Sequence, residues 1–406
     1  MRVLFVAHGA SHVPWAVPLA WATQLAGHEV RVAARPQAAD RVASAGLIAV
    51  RIGSRDAGDA FAKGRLPGSA ARPRRLPADW PMGPLPWSEE RRLNWGAQLI
   101  GLGDSLADDL VEFARAWQPE LVVYDIGAVC GLVAAAAVGV PAVGYGWCQP
   151  IGAYFLDRDE VPPAYLRMFE RFGLEPRLGT DVWLDPCPPA LRRPSRVPRV
   201  PMRHIPYNGP GTAPEWLWGP SDRPRVCVTG GITTTNFNDR LPQLIDELSQ
   251  VDASVLLAVN DAEVDGRTLP SNIRVTGWVP LRALLDRGDA LVHHGGAGSG
   301  LTGLAQGLPQ VVVPQGDDDT QWLWGHLIET AGAGINLAPD RRREPGALAA
   351  AVTRVLGERE HRDRAREIRA EIDAMPPVSE AVRYLERRVE EARPGDVRPR
   401  TLRGAA

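Results

Sequence analysis

Lysine is almost absent from this sequence, and its charges nearly balance. Lys63 is the single lysine, and 46 basic residues stand against 48 acidic ones, for a formal net charge of −2. Such a balance does not indicate a basic surface of the kind that binds nucleic acid or an anionic membrane. We therefore expect neither nucleic acid nor a membrane as a partner.

Long apolar runs and paired cysteines are missing as well. The apolar run in the opening MRVLFVAHG is too short for a signal peptide, and no stretch reaches the roughly 18 apolar residues that span a bilayer. The cysteines form no CxxC pair, which argues against zinc and disulfides and predicts buried free thiols. They are Cys130, Cys148, Cys187 and Cys227. These absences predict a soluble, cytoplasmic protein.

What is present is a repeated alternation of short apolar strands and helices. A strand at residues 2–7, a helix at 16–26 and a strand at 29–33 make a βαβ unit, which favours a parallel sheet. The pattern continues with a helix at 89–117, a strand at 121–125, a helix at 131–138 and a strand at 142–145. Residues 53–86 lack periodicity and are predicted to form a mobile, functional loop.

Prolines are dense between Pro186 and Pro224, where we place the connection between domains. Beyond it the alternation restarts, with strands at 225–229, 254–259, 273–275, 290–293 and 310–313 and helices at 239–250, 298–306 and 379–391. The fold class is therefore α/β, with two Rossmann-like domains facing across a cleft. We divide the chain into an acceptor-binding domain (1–204), a linker (205–223), a nucleotide-sugar-binding domain (224–376), a closing helix (377–394) that packs back on the first domain, and a disordered tail (395–406).

The segment ALVHHGGAGSGLTGLAQGLPQVVVP, residues 290–314, contains the most informative motif. We predict a strand ending in His293 and His294, a glycine-rich turn, and a helix that begins near Ser299. Free N–H groups and the positive dipole end at a helix N-terminus favour phosphate, and glycine lets an anion approach the backbone. An adjacent histidine can donate to a phosphate oxygen. A tight turn without a ligand is the alternative that the pattern alone leaves open.

This segment resembles the donor-binding signature of family 1 glycosyltransferases, inverting enzymes with the two-Rossmann-domain GT-B fold. The similarity is to the bacterial members that glycosylate macrolide and aromatic polyketide natural products. The opening SHVPWAVPLAWATQLAGHEVRVA (11–33) resembles the acceptor-side signature of that group, and MRHIPYNGPGTAPEWL (202–217) resembles its linker. The resemblance thus covers most of the chain.

The resemblance implies a nucleotide-sugar site in the second domain. It places His294 and the glycine-rich turn on the diphosphate, and Trp278 where an aromatic ring stacks on the base. An ordinary half-buried tryptophan is the alternative. The loop after the strand at 225–229 should face the phosphates as well. The predicted donor-binding residues are Gly230, Gly231, Thr233, Trp278, Val279, His294, Gly295, Gly296, Gly298, Ser299, Asp319, Thr320 and Gln321.

His12 is the candidate general base, because it lies in the first βα loop and its spacing of 16 residues from His28 matches the family. An acceptor hydroxyl becomes a good nucleophile when its proton is taken, and imidazole titrates near working pH. Asp125 matches the family's partner carboxylate, which orients the imidazole. His8 competes as the base. Taken singly, His12 reads as a surface histidine and Asp125 as a helix N-cap.

Two departures from the family pattern concern tryptophans. Trp15 stands three residues after the candidate base, where the family has proline, and Pro14 comes one position earlier. Trp324 and Gly325 replace the family's Asn-Ala pair. We expect such changes to alter which sugar the site accepts.

A third departure concerns the acid that reads the sugar hydroxyls. The family's Asp-Gln pair matches Thr320-Gln321, so either Asp319 supplies the acid or the sugar lacks those hydroxyls. The departures favour a deoxygenated sugar. The acidic run 317–319 has no second ligand cluster, so we predict no metal site there.

The resemblance therefore implies an inverting, metal-independent glycosyltransferase of the hexosyltransferase type, with no cofactor. Its donor is a dTDP- or UDP-sugar, with a dTDP-deoxysugar favoured, and its acceptor is a hydroxyl of a small apolar molecule of secondary metabolism, as in antibiotic biosynthesis. A non-catalytic nucleotide-sugar-binding relative, or an auxiliary partner of another transferase, is the alternative. No GxGxxG follows the first strand, which disfavours a dinucleotide-dependent oxidoreductase. The sequence leaves a homodimer open.

Overall fold

The computed structural model describes residues 1–54, 89–125, 127–146, 163–177, 180, 182–193, 197–232, 240–259, 264, 267–315, 319–337 and 344–392. The side chains of residues 89–95 and 319 lie outside this description. So do four subjects of the sequence predictions: most of the loop at 53–86, Cys148, Thr233 and the tail at 395–406. The cysteines inside it, Cys130, Cys187 and Cys227, are buried free thiols, as predicted.

Seven parallel strands form the sheet of the first half, in the order β3-β2-β1-β4-β5-β6-β7. The strands are β1 (Arg2–Val6), β2 (Glu29–Ala34), β3 (Ala49–Arg51), β4 (Leu121–Asp125), β5 (Ala142–Tyr145), β6 (Trp183–Asp185) and β7 (Arg199–Pro201). The helices are α1 (Val13–Leu25), α2 (Pro36–Ser44), α3 (Glu89–Trp117), α4 (Cys130–Ala137) and α5 (Pro163–Glu170).

Six parallel strands form the second sheet, in the order β10-β9-β8-β11-β12-β13. They are β8 (Arg225–Thr229), β9 (Ser254–Ala258), β10 (Ile273–Val275), β11 (Ala290–His293), β12 (Gln310–Val312) and β13 (Gly334–Asn336). The remaining helices are α6 (Leu241–Leu248), α7 (Leu281–Leu285), α8 (Ala297–Ala305), α9 (Asp319–Thr330), α10 (Ala347–Gly357), α11 (Arg359–Ala374) and α12 (Val378–Ala392).

Each sheet is covered by helices on both faces, which explains why its strands are apolar at nearly every position. In β1, Leu4 and Val6 pack in the core under α3 and α4, whereas Val3 and Phe5 pack under α1, α2 and α12. Successive side chains of a strand point to opposite faces, so a strand buried on both faces reads as a continuous apolar run. The predicted two-domain α/β architecture is confirmed.

Each sheet has one point at which the strand order reverses. In the first sheet β1 lies beside β4, and in the second β8 lies beside β11. Connections leave such a pair in opposite directions, so a crevice opens beyond the carboxyl ends of the two strands. Ligands of doubly wound sheets bind in that crevice. The fold thus provides two crevices, one in each half.

Regular structure extends into the proline-dense stretch 186–224, which is therefore not wholly a connection. Strand β7 lies within it and forms the last strand of the first sheet, where Pro201 is tolerated at a sheet edge. Two short 3-10 turns, Pro189–Leu191 and Glu215–Leu217, also lie there.

The chain passes between the two halves twice. It leaves the first half after β7, and it returns between α11 and α12, where α12 packs against α1 as predicted. The two connections contact each other, because Arg203 N–H donates to the carbonyl of Pro376 at 2.7 Å. Among the described helices, none is long and apolar enough to cross a membrane.

Candidate active site

The first crevice contains a histidine–aspartate pair. His12 lies in the loop between β1 and α1, and Asp125 is the last residue of β4. His12 Nδ1 donates to Asp125 Oδ2, and Gly127 N–H donates to Oδ1 at 2.8 Å. A carboxylate only accepts, so Nδ1 carries the proton and the other ring nitrogen, Nε2, is left as an acceptor. The His12 side chain keeps 19% of its surface exposed, whereas that of Asp125 is fully buried.

The electrostatics of this pair keep Asp125 ionised. Burial by itself would raise the pKa of Asp125, but the charges of His12 and His8 and the bonds from His12 and Gly127 bring that pKa below its ordinary value. The carboxylate therefore remains a fixed negative charge behind the His12 ring. That charge stabilises the imidazolium that forms when His12 accepts a proton.

His8 lies close to the same carboxylate but in a different state. Its Nδ1 is 3.5 Å from Asp125 Oδ2, and its ring centroid is 4.1 Å from that of His12. Burial, with the neighbouring His12 and Arg35 charges, lowers the pKa of His8 to about 3 despite the nearby Asp125. A base that weak holds no proton at neutral pH. The His8 side chain is also only 7% exposed against 19% for His12, so the geometry favours His12 as the proton acceptor for a substrate in the crevice.

These three side chains are also the one group among the described residues whose ligand atoms could hold a metal ion. One ligand atom from each of His8, His12 and Asp125 lies within 4.8 Å of the others. Two imidazoles and a carboxylate suit a borderline transition metal. An ion held by His12 Nδ1 would have to displace the proton that links His12 to Asp125.

The second crevice contains His294 and the glycine-rich turn. His294 follows β11 and is buried between two glycines. A Cβ at Gly231 would lie 2.4 Å from His294 Cε1, and one at Gly296 would lie 2.4 Å from its Nε2. A Cβ at Gly295, where φ is +98°, would lie 2.4 Å from the carbonyl oxygen of Gln321. Each of these three positions therefore requires glycine because of what surrounds it.

The turn leads into the start of α8, whose first amides have no side-chain cap. Gly296 is the N-cap residue with ψ of 133°, it makes no side-chain cap hydrogen bond, and the first turn contains no acidic residue. Gly298 and Ser299 of that turn are partly exposed. Uncapped N–H groups at the positive end of a helix form a site for an anion. Gly230, at the end of β8, lies beside this turn in the same crevice.

Trp278 is half exposed at the edge of the second half, where the linker crosses it. Its exposed fraction is 49%, its Nε1 donates to the Pro210 carbonyl at 2.8 Å, and a Cβ at Gly209 would lie 2.9 Å from its ring. One edge of the indole is thus held by the linker while much of its surface faces solvent. Val279, the next residue, is buried in the core.

Asn208 is a contact residue that the sequence reasoning missed. Its Oδ1 accepts from Arg282 N–H at 2.9 Å, and its Nδ2 donates to Thr302 Oγ1 at 3.3 Å. It therefore ties the linker to both α7 and α8. The available signal was an asparagine inside the linker motif PYNG, where a polar residue follows a tyrosine and precedes a turn glycine.

The residues expected to read the sugar lie at the start of α9. Gln321 is buried, and its Oε1 accepts from Gln315 N–H at 2.8 Å, while Thr320 is partly exposed. Trp324 is only 1% exposed and packs against Gly300 of α8. It fills the core beneath α8 and so does not contact a sugar in the crevice. Gly325 leaves room for Asn336, whose Oδ1 would lie 2.2 Å from an added Cβ.

Trp15 packs between the two halves of the protein. It lies three residues after His12 and packs against cores in both halves of the protein. Its ring is 5.2 Å from that of His204, and a Cβ at Gly298 would lie 3.9 Å from its Cζ2. The first turn of α1 therefore lies next to the first turn of α8. The histidine–aspartate pair and the glycine-rich turn consequently flank one cleft.

Comparisons with known proteins identify the family of this chain. Residues 86–231 match the N-terminal domain model of the erythromycin biosynthesis protein CIII-like family, and residues 242–387 match its C-terminal domain model. The aclacinomycin-T 2-deoxy-L-fucose transferase of Streptomyces galilaeus is 32% identical, covering 100% of both chains. The tylactone mycaminosyltransferase of Streptomyces fradiae is 35% identical, covering 95% of this chain and 92% of its own.

The fold agrees as well. The crystal structure of the glycosyltransferase VinC in complex with dTDP superposes with a TM-score of 0.79 at 29% identity, covering 96% of this chain and 100% of that one. Both domain models, the full-length relatives and the two-sheet architecture point to the same group. The chain belongs to the erythromycin biosynthesis protein CIII-like family and is a glycosyltransferase of the GT-B fold.

Proposed function

We propose that this chain is an inverting, metal-independent transferase that moves a deoxysugar from dTDP to a hydroxyl group of an apolar polyketide-type acceptor. The observation that supports the proposal is the packing of Trp15 against the cores of both halves, next to Gly298, because it brings the loop of the candidate proton acceptor close to the candidate anion site. The relatives support the sugar and acceptor classes, since their names describe transfer of 2-deoxy-L-fucose and mycaminose, the latter to tylactone.

The second half holds the donor. The diphosphate lies at the start of α8, where the uncapped amides and His294 donate to its oxygens. The nucleotide base stacks on the exposed face of Trp278. Neutralising the charge that develops on a departing diphosphate with fixed backbone dipoles is a form of electrostatic catalysis that requires no metal ion.

The first half activates the acceptor. His12 Nε2 takes the proton of the acceptor hydroxyl while Asp125 holds Nδ1 and stabilises the resulting imidazolium. The hydroxyl oxygen bonds to the anomeric carbon from the side opposite the diphosphate, the carbon–oxygen bond to the diphosphate breaks, and dTDP departs with the electron pair. This single displacement inverts the anomeric configuration.

Donor binding and transfer test the proposal separately. Isothermal calorimetry should show binding of dTDP in the absence of metal ions, and tighter binding than of UDP. A panel of dTDP-deoxysugars with macrolide and anthracycline aglycones should then yield a glycoside that mass spectrometry detects. NMR of the product should show the anomeric configuration opposite to that of the donor. EDTA should leave the rate unchanged.

The negative outcomes discriminate between the remaining possibilities. Binding of dTDP without transfer from any donor would favour a nucleotide-sugar-binding relative or an auxiliary partner of another transferase. A product with retained configuration would contradict the single displacement, and a rate abolished by EDTA would indicate that the histidines and Asp125 hold a metal ion.

A further inference from the structure

His293 lies one residue before the proposed diphosphate ligand but points away from it. It is the last residue of β11, it is fully buried, and its ring stands at 87° to that of His294, with centroids 6.3 Å apart. Neither the transfer chemistry nor the donor contacts described above use it. A fully buried imidazole beside a binding turn is costly to desolvate unless its nitrogens are bonded.

Both nitrogens of His293 are bonded, in a chain with only one possible direction. Gly295 N–H donates to Nδ1 at 3.2 Å, and Nε2 lies 2.8 Å from Gln310 Oε1. Gln310 Nε2 in turn donates to the Gly300 carbonyl at 2.9 Å. A backbone amide can only donate and a carbonyl can only accept, so the two ends fix the protons between them. His293 must carry its proton on Nε2.

The buried surroundings keep this ring neutral. Burial, with the neighbouring His294, lowers the pKa of His293 to about 3 despite the hydrogen bond that His293 donates to Gln310. Gln310 is itself fully buried. The hydrogen bonds that join Gly295, His293, Gln310 and Gly300 are therefore shielded from water. Fully satisfied networks of this kind rigidify the backbone that they connect.

The network connects the turn to the helix that follows it. At one end it holds Gly295, whose φ of +98° sets the direction of the turn, and at the other it holds Gly300 in the first turn and a half of α8. The Gly295 amide points into the protein, so the amides that remain for an anion are those of the following residues. The Gly295 nitrogen belongs to the peptide bond that follows His294, so the same hydrogen bond also restricts the position of the His294 ring.

We propose that His293, acting with Gln310, is a positioning residue for the diphosphate site, and that acceptance of the Gly295 N–H by its Nδ1 is the contact that sets donor affinity. This inference rests on the proposed function, because it takes the turn to be the diphosphate site. His293 does not contact the donor. It acts through the orientation of Gly295 and, through it, of the amides at the start of α8.

Two amide substitutions separate the two ring nitrogens. In His293→Asn the side-chain oxygen stands near the position of Nδ1 and can still accept from Gly295, but the bond to Gln310 is lost. In His293→Gln the amide reaches the position of Nε2, so the bond to Gln310 is kept and the acceptor for Gly295 is lost. The two variants are matched, since both replace the imidazole by a neutral amide.

The measurement is the dissociation constant of dTDP by calorimetry, with the stoichiometry reporting the folded fraction. We expect His293→Gln to weaken binding about tenfold, as for one lost hydrogen bond, and His293→Asn to stay within about threefold of wild type. The donor KM should follow the same order, with the acceptor KM unchanged. Hydrogen exchange of peptide 294–300 should be faster in the glutamine variant than in the asparagine variant.

A third variant gives a readout that loss of packing cannot mimic. In Gln310→Glu the carboxylate stabilises a protonated His293, whose Nδ1 then has no lone pair for Gly295. Binding of dTDP by this variant should weaken as the pH falls from 8 to 6. The affinity of the wild-type protein should not weaken over that range.

Three results would overturn the inference: equal dTDP affinity and equal exchange in the asparagine and glutamine variants, the reverse order, or a pH-independent affinity in Gln310→Glu. Failure of the proposed function looks different, because wild-type protein would then bind no dTDP. The exchange comparison still decides the orientation of Gly295 in that case. If one His293 variant does not fold, the other and Gln310→Glu decide the result.

Discussion

The two sides of the cleft differ in the chemical groups that they present. On the side of the first half, the proposed reactive groups are the side chains of His12 and Asp125, and Asp125 is an ionised carboxylate in a buried position. On the side of the second half, the groups proposed to bind the donor are mainly backbone amides, at a helix start with no side-chain cap and no acidic residue in its first turn.

The difference follows from the task of each side. Taking a proton requires a group whose charge changes, so the first half needs a titrating ring with an ionised partner. Holding a diphosphate requires dipoles that stay where they are as charge develops, so the second half needs fixed amides and close approach of the backbone. Substitutions on the first side should therefore change the rate, and substitutions on the second should change donor affinity.

The largest effect is expected for His12→Ala. Removal of a general base lowers kcat by about 10²- to 10⁴-fold. The dissociation constant of dTDP should stay within about twofold of wild type, because the donor groups lie on the other side of the cleft. Steady-state kinetics and calorimetry measure the two quantities. A loss of dTDP affinity equal to the loss of rate would contradict the assignment of proton transfer to one side and donor binding to the other.

Gly296→Ala should have the next largest effect, on dTDP affinity rather than on rate. Its φ of −68° suits alanine, so the backbone is not strained, but the added Cβ would lie 2.4 Å from His294 Nε2. The displaced ring should weaken dTDP binding about tenfold or more, as overpacking costs ~1–3 kcal/mol. Gly357→Ala is the matched control, since nothing lies within 4 Å of its added Cβ. Equal affinities in the two variants would contradict the assignment of His294.

Trp278→Ala should weaken dTDP binding about tenfold, because stacking of a base on an aromatic ring contributes ~1–3 kcal/mol. Trp278→Phe should recover part of that affinity. Trp218→Ala is the control, since Trp218 is similarly exposed, at 51% against 49%. If both alanine variants bind dTDP as wild type does, the base lies elsewhere.

The last effect is one that both halves share, a loss of stability in acid. His8 and His293 have a pKa of about 3 in the folded chain against an ordinary 6.5, so the unfolded chain takes up a proton first as the pH falls. Their stabilisation is complete above pH 6.5 and is lost between 6.5 and 3. Each contributes a slope approaching ~1.4 kcal/mol per pH unit. The urea midpoint of unfolding should fall less between pH 7 and pH 5 in His8→Asn and in His293→Asn than in wild type. The same fall in the variants and in wild type would refute this prediction.

The sequence predicted the central strands that are buried on both faces and the longest helix, but not the helices α9, α10 and α11 of the second half. The strands at 121–125, 142–145, 225–229 and 290–293 and the helix at 89–117 were predicted at the residues where they occur. Strands β3, β6, β7 and β13 were not predicted. Each has three residues and two lie in or beside the proline-dense stretch, so neither periodicity nor composition distinguishes them from loop.

The candidate site was predictable where one residue's chemistry and its position after a strand agreed. His12 and Asp125 follow neighbouring strands, and the structure brings them into contact. Trp324 shows the limit. The family match suggested a position near the sugar, but the indole is buried under α8, and only the packing of α8 on α9 decides that. The roles of Asn208 and His293 depend on partners far along the chain, at positions 302 and 310, which no local pattern reveals.

The bond between Arg203 and Pro376 has a consequence for how the enzyme moves. The outgoing and returning segments are bonded to each other at one place, so any motion that separates these two segments must break that bond. Trp15 lies close to the same place through its contact with His204. The two connections and the first turn of α1 therefore meet at one junction, and a relative movement of the two halves acts on all three at once.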